Sequence, residues 1–161
     1  MNIGNLTLKS IKHFAQMSEE TYCFHANVYW KGKKIGTVKN SGQGGECEGH
    51  WDPNKREDWS QMLDWITTLP EKGIEPFSFK ENFDTMCNDL VTKFLEEKDF
   101  KKMCKKWVYF RGEDYSSYYQ IKKSPRYNKE AIMEHLVSAV EEPCTLINDL
   151  TFEEYTALVN E

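Results

Sequence analysis

Apolar and polar residues alternate along the first stretch of the chain, with Leu6 and Leu8 set against Thr7 and Lys9. This period of two is that of a half-buried strand over 6–12. Ser18, Glu19 and Glu20 read as a turn, and alternation resumes over 22–30, with Tyr22, Phe24, Ala26 and Val28 on one side. Lys31, Gly32 and Lys33 make a tight connection in which Gly32 is free to take positive φ. Residues 35–38 then return as the partner strand, so the pattern predicts an antiparallel hairpin. The glycine-dense run 40–46 follows. Residues 47–51 fit a short strand or an ordered loop, and Asp52-Pro53 marks the entry to a helix.

From there the period lengthens. Trp59, Met62, Leu63 and Ile66 recur at helical spacing over 56–69, and Pro70 closes that helix. Residues 71–77 form a loop. Ser78 and Glu81 have the spacing of a capping box ahead of the strongest stripe in the chain: Phe83, Met86, Cys87, Leu90, Val91, Phe94 and Leu95. Asp84, Asn88, Lys93 and Glu97 fall on the opposite, solvated side, and residues 100–104 extend the helix. The aromatic runs 107–110 and 118–121 predict a second hairpin. Ser124-Pro125 breaks it, 128–140 reads as a helix with Ile132, Leu136 and Val140 inward, and 145–147 as a short strand. Thr151 and Glu154 cap a terminal helix carrying Phe152, Tyr155, Leu158 and Val159.

The expected fold is α+β: an antiparallel sheet of two hairpins packed against amphipathic helices, in one domain spanning 1–161. Its parts are an N-terminal hairpin region (1–50), a helical region (53–106), the second hairpin (107–123) and C-terminal helices (128–161). In this reading the second hairpin joins or extends the first sheet, and the 83–95 helix covers one face.

Composition narrows the class. Among 161 residues, 39% are hydrophobic and 14% aromatic, a mixture that sets the chain apart from disordered sequences, which are poor in aromatics. The five cysteines, an odd number without regular spacing, argue against a disulfide framework. Residues 1–9 lack a basic start followed by an apolar run, and no stretch approaches the roughly 20 apolar residues of a membrane span. The expectation is the reducing cytoplasm, with no membrane association. The net charge of −5 is uneven. Residues 100–126 hold eight Lys and Arg against Glu113 and Asp114, whereas 127–161 hold eight acids against Lys129 alone. Such asymmetry marks partner surfaces or simply two solvated faces.

Three chemistries are candidates. Gly42, Gly44 and Gly45 could line an anion nest, but the run lacks the spacing of a phosphate loop, no helix starts directly behind it, and Glu46 and Glu48 repel phosphate. A connection that needs positive φ is the better reading. Cys47 and His50, three apart, could join Cys23 and His25 as zinc ligands or form a thiol–base pair, although Cys-x-His is not a common structural zinc spacing. Lys105, Lys106, Arg111, Tyr115, Tyr118, Lys122, Lys123 and Arg126 combine phosphate-pairing cations with base-stacking aromatics, as single-strand binding requires. No complete catalytic constellation is visible. The site expectations are therefore no catalytic residue, no metal, no cofactor, and the 100–126 hairpin as a nucleic-acid-binding alternative.

Residues 28–45 carry Val28, Tyr29, Gly32, Lys33, Lys34, Gly36, Val38, Asn40, Gly42, Gly44 and Gly45. Their order resembles a hairpin pattern near the start of small uncharacterised phage and mobile-element proteins, where it leads into helices. The resemblance implies a context in which small acidic proteins bind and block a host protein, including defence nucleases. The functional expectation is a non-enzymatic, counter-defence interaction protein of the anti-CRISPR kind, acting in the host cytoplasm on a host protein. The alternatives are a nucleic-acid-binding accessory protein and a metal or thiol enzyme around Cys47 and His50.

Overall fold

The alternation over the first fifty residues becomes a five-stranded antiparallel meander. In the computed structural model, residues 2–73, 76–112, 118–122, 130–131, 134, 138 and 144–159 are described, and of 106–112, 118–119, 121–122 and 144 the backbone alone. Strands β1 (Asn2–Ile3), β2 (Leu6–His13), β3 (Phe24–Trp30), β4 (Lys33–Asn40) and β5 (Glu48–Trp51) pair in chain order. Irregularities at Lys9/Lys12 and at Val28/Tyr29 each insert one extra residue. Sequence parity therefore shifts past each one: Thr7 and Lys9 but then Lys12 lie on one face of β2, and Lys34 but then Thr37 and Lys39 on the same face of β4.

One face of this sheet is the core. Leu6, Leu8, Phe24, Ala26, Val28, Trp30, Ile35 and Val38 are each at most 2% exposed. Helix α1 (Arg56–Thr67) adds Trp59, Met62 and Ile66, and α2 (Phe83–Lys106) adds Met86, Cys87, Leu90 and Val91. Each large apolar side chain so buried contributes about 1.5–3 kcal/mol. Leu63, expected inward, is 38% exposed, because Trp59, Met62 and Ile66 already fill the contact line of α1. Trp51, Trp59 and Phe83 stack in succession, with centroids 6.1 and 5.2 Å apart. Gly49 makes room for this stack: a Cβ there would lie 2.6 Å from the Trp59 ring.

The start of α2 differs from expectation. Ser78 does not cap it: its hydroxyl donates to the Glu71 carboxylate, while Lys72 and Phe79 exchange backbone hydrogen bonds that hold this stretch extended. The reciprocal cap is one turn later. Thr85 N–H donates to Asn82 Oδ1 at 2.8 Å, and Asn82 N–H donates to Thr85 Oγ1 at 3.0 Å. Glu81 is instead buried and paired with Lys72, which also reaches Asp89 at 2.5 Å. The hydrogen bond it donates to Asp89, then that to Glu81, pushes the Lys72 ammonium above its usual value. Burial works to raise the Glu81 carboxyl, but hydrogen bonds from Lys72 and Thr85 outweigh it and hold it low.

The chain, expected as one domain, divides into two compact units, Met1–Leu95 and Glu96–Glu161. The second hairpin does not extend the first sheet. β6 (Trp107–Gly112) pairs antiparallel with β7 (Tyr118–Lys122) on one side and with β8 (Cys144–Leu146) on the other, a separate sheet ordered β7-β6-β8. β8 takes the second edge of β6 over residues 110–112. Helix α3 (Phe152–Val159) begins with the expected cap: Thr151 Oγ1 accepts from Glu154 N–H, and the Glu154 carboxylate accepts from Thr151 N–H at 2.7 Å. Phe152 packs with Phe100 and Ile147 in a small core, where Tyr155 stacks on Phe100 at 4.7 Å. Of the helix expected over 128–140, Glu130, Ala131, Glu134 and Ser138 are helical; the remainder lies outside the described residues.

Candidate functional site

Cys47 and His50 diverge. Cys47 stands just before β5, and its N–H donates to Asp84 Oδ1 on α2 at 2.7 Å. Its sulfur lies 3.8 Å from Asn88 Oδ1 and 3.7 Å from Asn40 Nδ2. The hydrogen bond with Cys47, followed by burial and the Asp84 charge, raises the neighbouring Cys87 thiol well above its usual value. A thiol so raised stays protonated near neutral pH and is a poor nucleophile. His50 sits on the opposite, solvated side of β5 with Glu48 Oε2 3.9 Å away. Cys23 is buried while His25 is exposed. Among the described residues, no group of three or more His, Cys, Asp or Glu is placed to hold a metal. Asp84 and Asn88, expected on a purely solvated face, are half-buried and anchor Cys47 instead.

The glycine run is a clamp. Gly42 and Gly44 take φ of +86° and +80°, the left-handed region expected of them. Buried Asn40 organises the loop: its Oδ1 accepts from Thr21 Oγ1 and from Gly42 N–H, and its Nδ2 donates to Gly45 O, all within 2.9 Å. The Gly42 carbonyl accepts from Glu19 and Glu20 N–H at 3.0 Å. Ser18 Oγ accepts from Cys23 N–H, donates to the Phe14 carbonyl and lies 3.1 Å from His13 Nε2. These bonds tie the 14–22 loop to the 40–45 run and to Cys23, and on it Phe14, Met17 and Tyr22 are 46%, 57% and 37% exposed. A concavity of about 480 Å³ runs along Ser18–Tyr22 and Asn88. Sequence reasoning passed over this loop because a turn was all its composition signalled.

No family model, curated protein or solved structure matches this chain.

Of the residues proposed for nucleic acid, Lys105 is exposed at the end of α2. Lys106, Arg111, Tyr118 and Lys122 have only their backbones described, and Tyr115, Lys123 and Arg126 lie outside the described residues. The hairpin that would carry them is real: Trp107 faces Lys122 and Arg111 faces Tyr118 across β6 and β7. Elsewhere in the second unit, a concavity of about 490 Å³ beside the Phe100–Tyr155 stack is lined by Met103, Phe152, Glu96 and Asp99. Among the described residues, no helix is long and apolar enough to cross a membrane.

The second face of the five-stranded sheet was also missed. Register sets its side chains in rows across the strands. Thr7, Tyr29 and Lys34 form one row; Lys9, Asn27, Thr37 and His50 the next; Lys12, His25, Lys39 and Glu48 the third. None of these residues is buried. Lys39 pairs with Glu48 at 3.0 Å, and that hydrogen bond is the main reason the Glu48 carboxyl is lowered. The signal was present as the polar half of each alternating strand, but only the pairing register gathers it into one surface.

Proposed function

We propose that this chain is a non-enzymatic interaction protein of phage or mobile-element type that binds a host protein and blocks it, in the manner of a counter-defence inhibitor. The observation that carries the reading is the 14–22 loop, which exposes Phe14, Met17 and Tyr22 while its backbone is fixed through Ser18, Asn40 and Gly42. Contiguous exposed apolar surface marks interaction sites, and these three side chains lie within nine residues of one another in the chain. A loop already ordered before binding avoids the entropic cost of immobilisation, which favours affinity. The resemblance of residues 28–45 to hairpins of small phage proteins supports the same reading, since Asn40, Gly42, Gly44 and Gly45 belong both to that pattern and to the clamp. The acidic 127–161 segment adds a way to meet a basic partner surface by charge complementarity.

The test is capture from host lysate with wild-type protein and with a Phe14→Ser/Met17→Ser/Tyr22→Ser variant. Wild type should enrich one protein and inhibit its activity, and the variant should do neither. Enrichment of nothing, or of the same protein by both, would count against the proposal.

A second reading, a nucleic-acid-binding accessory protein using the 100–126 hairpin, is favoured by the β6–β7 pairing and by exposed Lys105. It predicts single-strand binding that disappears on charge reversal at Lys105, Lys106 and Arg111.

A further inference from the structure

The solvated face of the β1–β5 sheet is a polar surface of the first unit, and neither reading above uses it. Four lysines, Lys9, Lys12, Lys34 and Lys39, stand on it against the single acid Glu48, a net +3 in a chain of −5. They come from β2 and β4, so β3 lies between them. Strand spacing sets the two lysine columns about 10 Å apart, and residue rise sets side chains two apart on one strand roughly 7 Å apart. Asn27, Thr37 and His25 fill the intervening positions with hydrogen-bonding groups. Tyr29 is the one aromatic, with the Lys9 ammonium 4.4 Å from its ring centroid.

That composition discriminates between partners. Protein interfaces are depleted in lysine and built around an apolar or aromatic centre. This face has lysines and no aliphatic side chain in its three rows. Nucleic-acid interfaces are polar and strongly positive, and most of their hydrogen bonds go to phosphate and sugar. The acidity of the rest of the chain is a weak objection, because beyond about 10 Å at 0.1 M salt its field is largely screened. A broad sheet does not enter a groove as a helix or a two-stranded ribbon does, so its contacts would run along the backbone.

We infer that the outer face of the five-stranded sheet is a nucleic-acid-binding surface, with Lys9, Lys12, Lys34 and Lys39 placed against phosphates and Asn27 and Thr37 among the groups that hydrogen-bond between them. The inference goes beyond the proposed function and does not rest on it. It also differs from the 100–126 reading in unit, residues and test.

The experiment is a fluorescence-anisotropy titration of the full chain with labelled 20-nucleotide single strands and 20-base-pair duplexes, in DNA and RNA. Binding of any of these supports the inference, and the four arms identify which backbone the surface prefers. With four phosphate contacts, affinity for a single strand should fall roughly 50-fold between 50 and 200 mM salt. The variant K9E/K12E/K34E/K39E should lose at least 10-fold in affinity. The conservative variant K9R/K12R/K34R/K39R should keep binding within about 3-fold, which separates loss of charge from loss of fold. Circular dichroism should match wild type for both, since every substituted side chain is exposed. No binding at 50 mM salt would overturn the inference. So would binding lost on reversal of Lys105, Lys106 and Arg111 but kept in the sheet variant, or equal competition by polyglutamate, which would make the face a general acceptor of acidic polymers.

Discussion

The two faces of the β1–β5 sheet are made by alternate residues of the same strands, and they do different work. Leu8 and Val28 pair across β2 and β3 and are at most 1% exposed. Their chain neighbours Lys9 and Asn27 pair one step along and face water. The inner face tolerates little change, because a volume lost there leaves a cavity. The outer face can be rewritten without touching the core, so its composition is free to answer to a partner. Each strand therefore has a buried set and a solvated set of side chains, and a substitution's effect should depend on which face it falls on.

Truncating chain neighbours that face opposite sides of the sheet should separate the two faces most clearly. Leu8→Ala should cost about 3 kcal/mol in urea unfolding, whereas Lys9→Ala should cost about 0.5 kcal/mol, the value of an exposed cation–π contact. Equal costs would mean that the faces are not divided as described.

A smaller effect tests whether the exposed apolar loop depends on a buried anchor. Asn40→Ala removes the acceptor of Thr21 and Gly42 and the donor to Gly45, and should cost about 2 kcal/mol. Hydrogen exchange should speed up at Glu19 and Glu20, whose N–H groups depend on the Gly42 carbonyl. Unchanged exchange would separate the loop from the clamp.

The smallest effect concerns the Lys72 clasp. Glu81→Gln should cost about 1 kcal/mol at neutral pH. Because the Glu81 carboxyl is held below its ordinary 4.5 in the folded chain, its contribution is present above that value and lost as pH falls through the folded value. The variant should accordingly show a shallower loss of stability below pH 4.5 than wild type. A parallel acid limb in both proteins would contradict this.

Local periodicity carried most of the fold. The β3–β4 hairpin, α1, the apolar stripe of α2 and the Thr151 cap were all readable, because each depends on residues close in sequence. What depends on long-range pairing was not. Ser78 and Glu81 had the spacing of a cap, yet Glu71 and Lys72 engage them first, and Asn82 with Thr85 does the capping. The second hairpin looked like an extension of the first sheet until β8, more than 30 residues on, took the other edge of β6. Cys47 and His50 looked like a pair by spacing, but consecutive strand positions alternate sides, and α2 holds Cys47 away. The lysines of the outer face escaped notice for the converse reason: Lys9 and Lys39 are far apart in sequence and meet only through register.

On the proposed function, affinity for the partner resides in the exposed side chains of the 14–22 loop. The most direct measurement is calorimetric titration of the captured partner against three proteins: wild type, Phe14→Ser/Met17→Ser/Tyr22→Ser, and K9E/K12E/K34E/K39E. The loop variant should bind at least 100-fold more weakly while the sheet variant stays within about 3-fold of wild type, each substitution acting at a surface the other leaves intact. Wild-type affinity in the loop variant would contradict the proposed function.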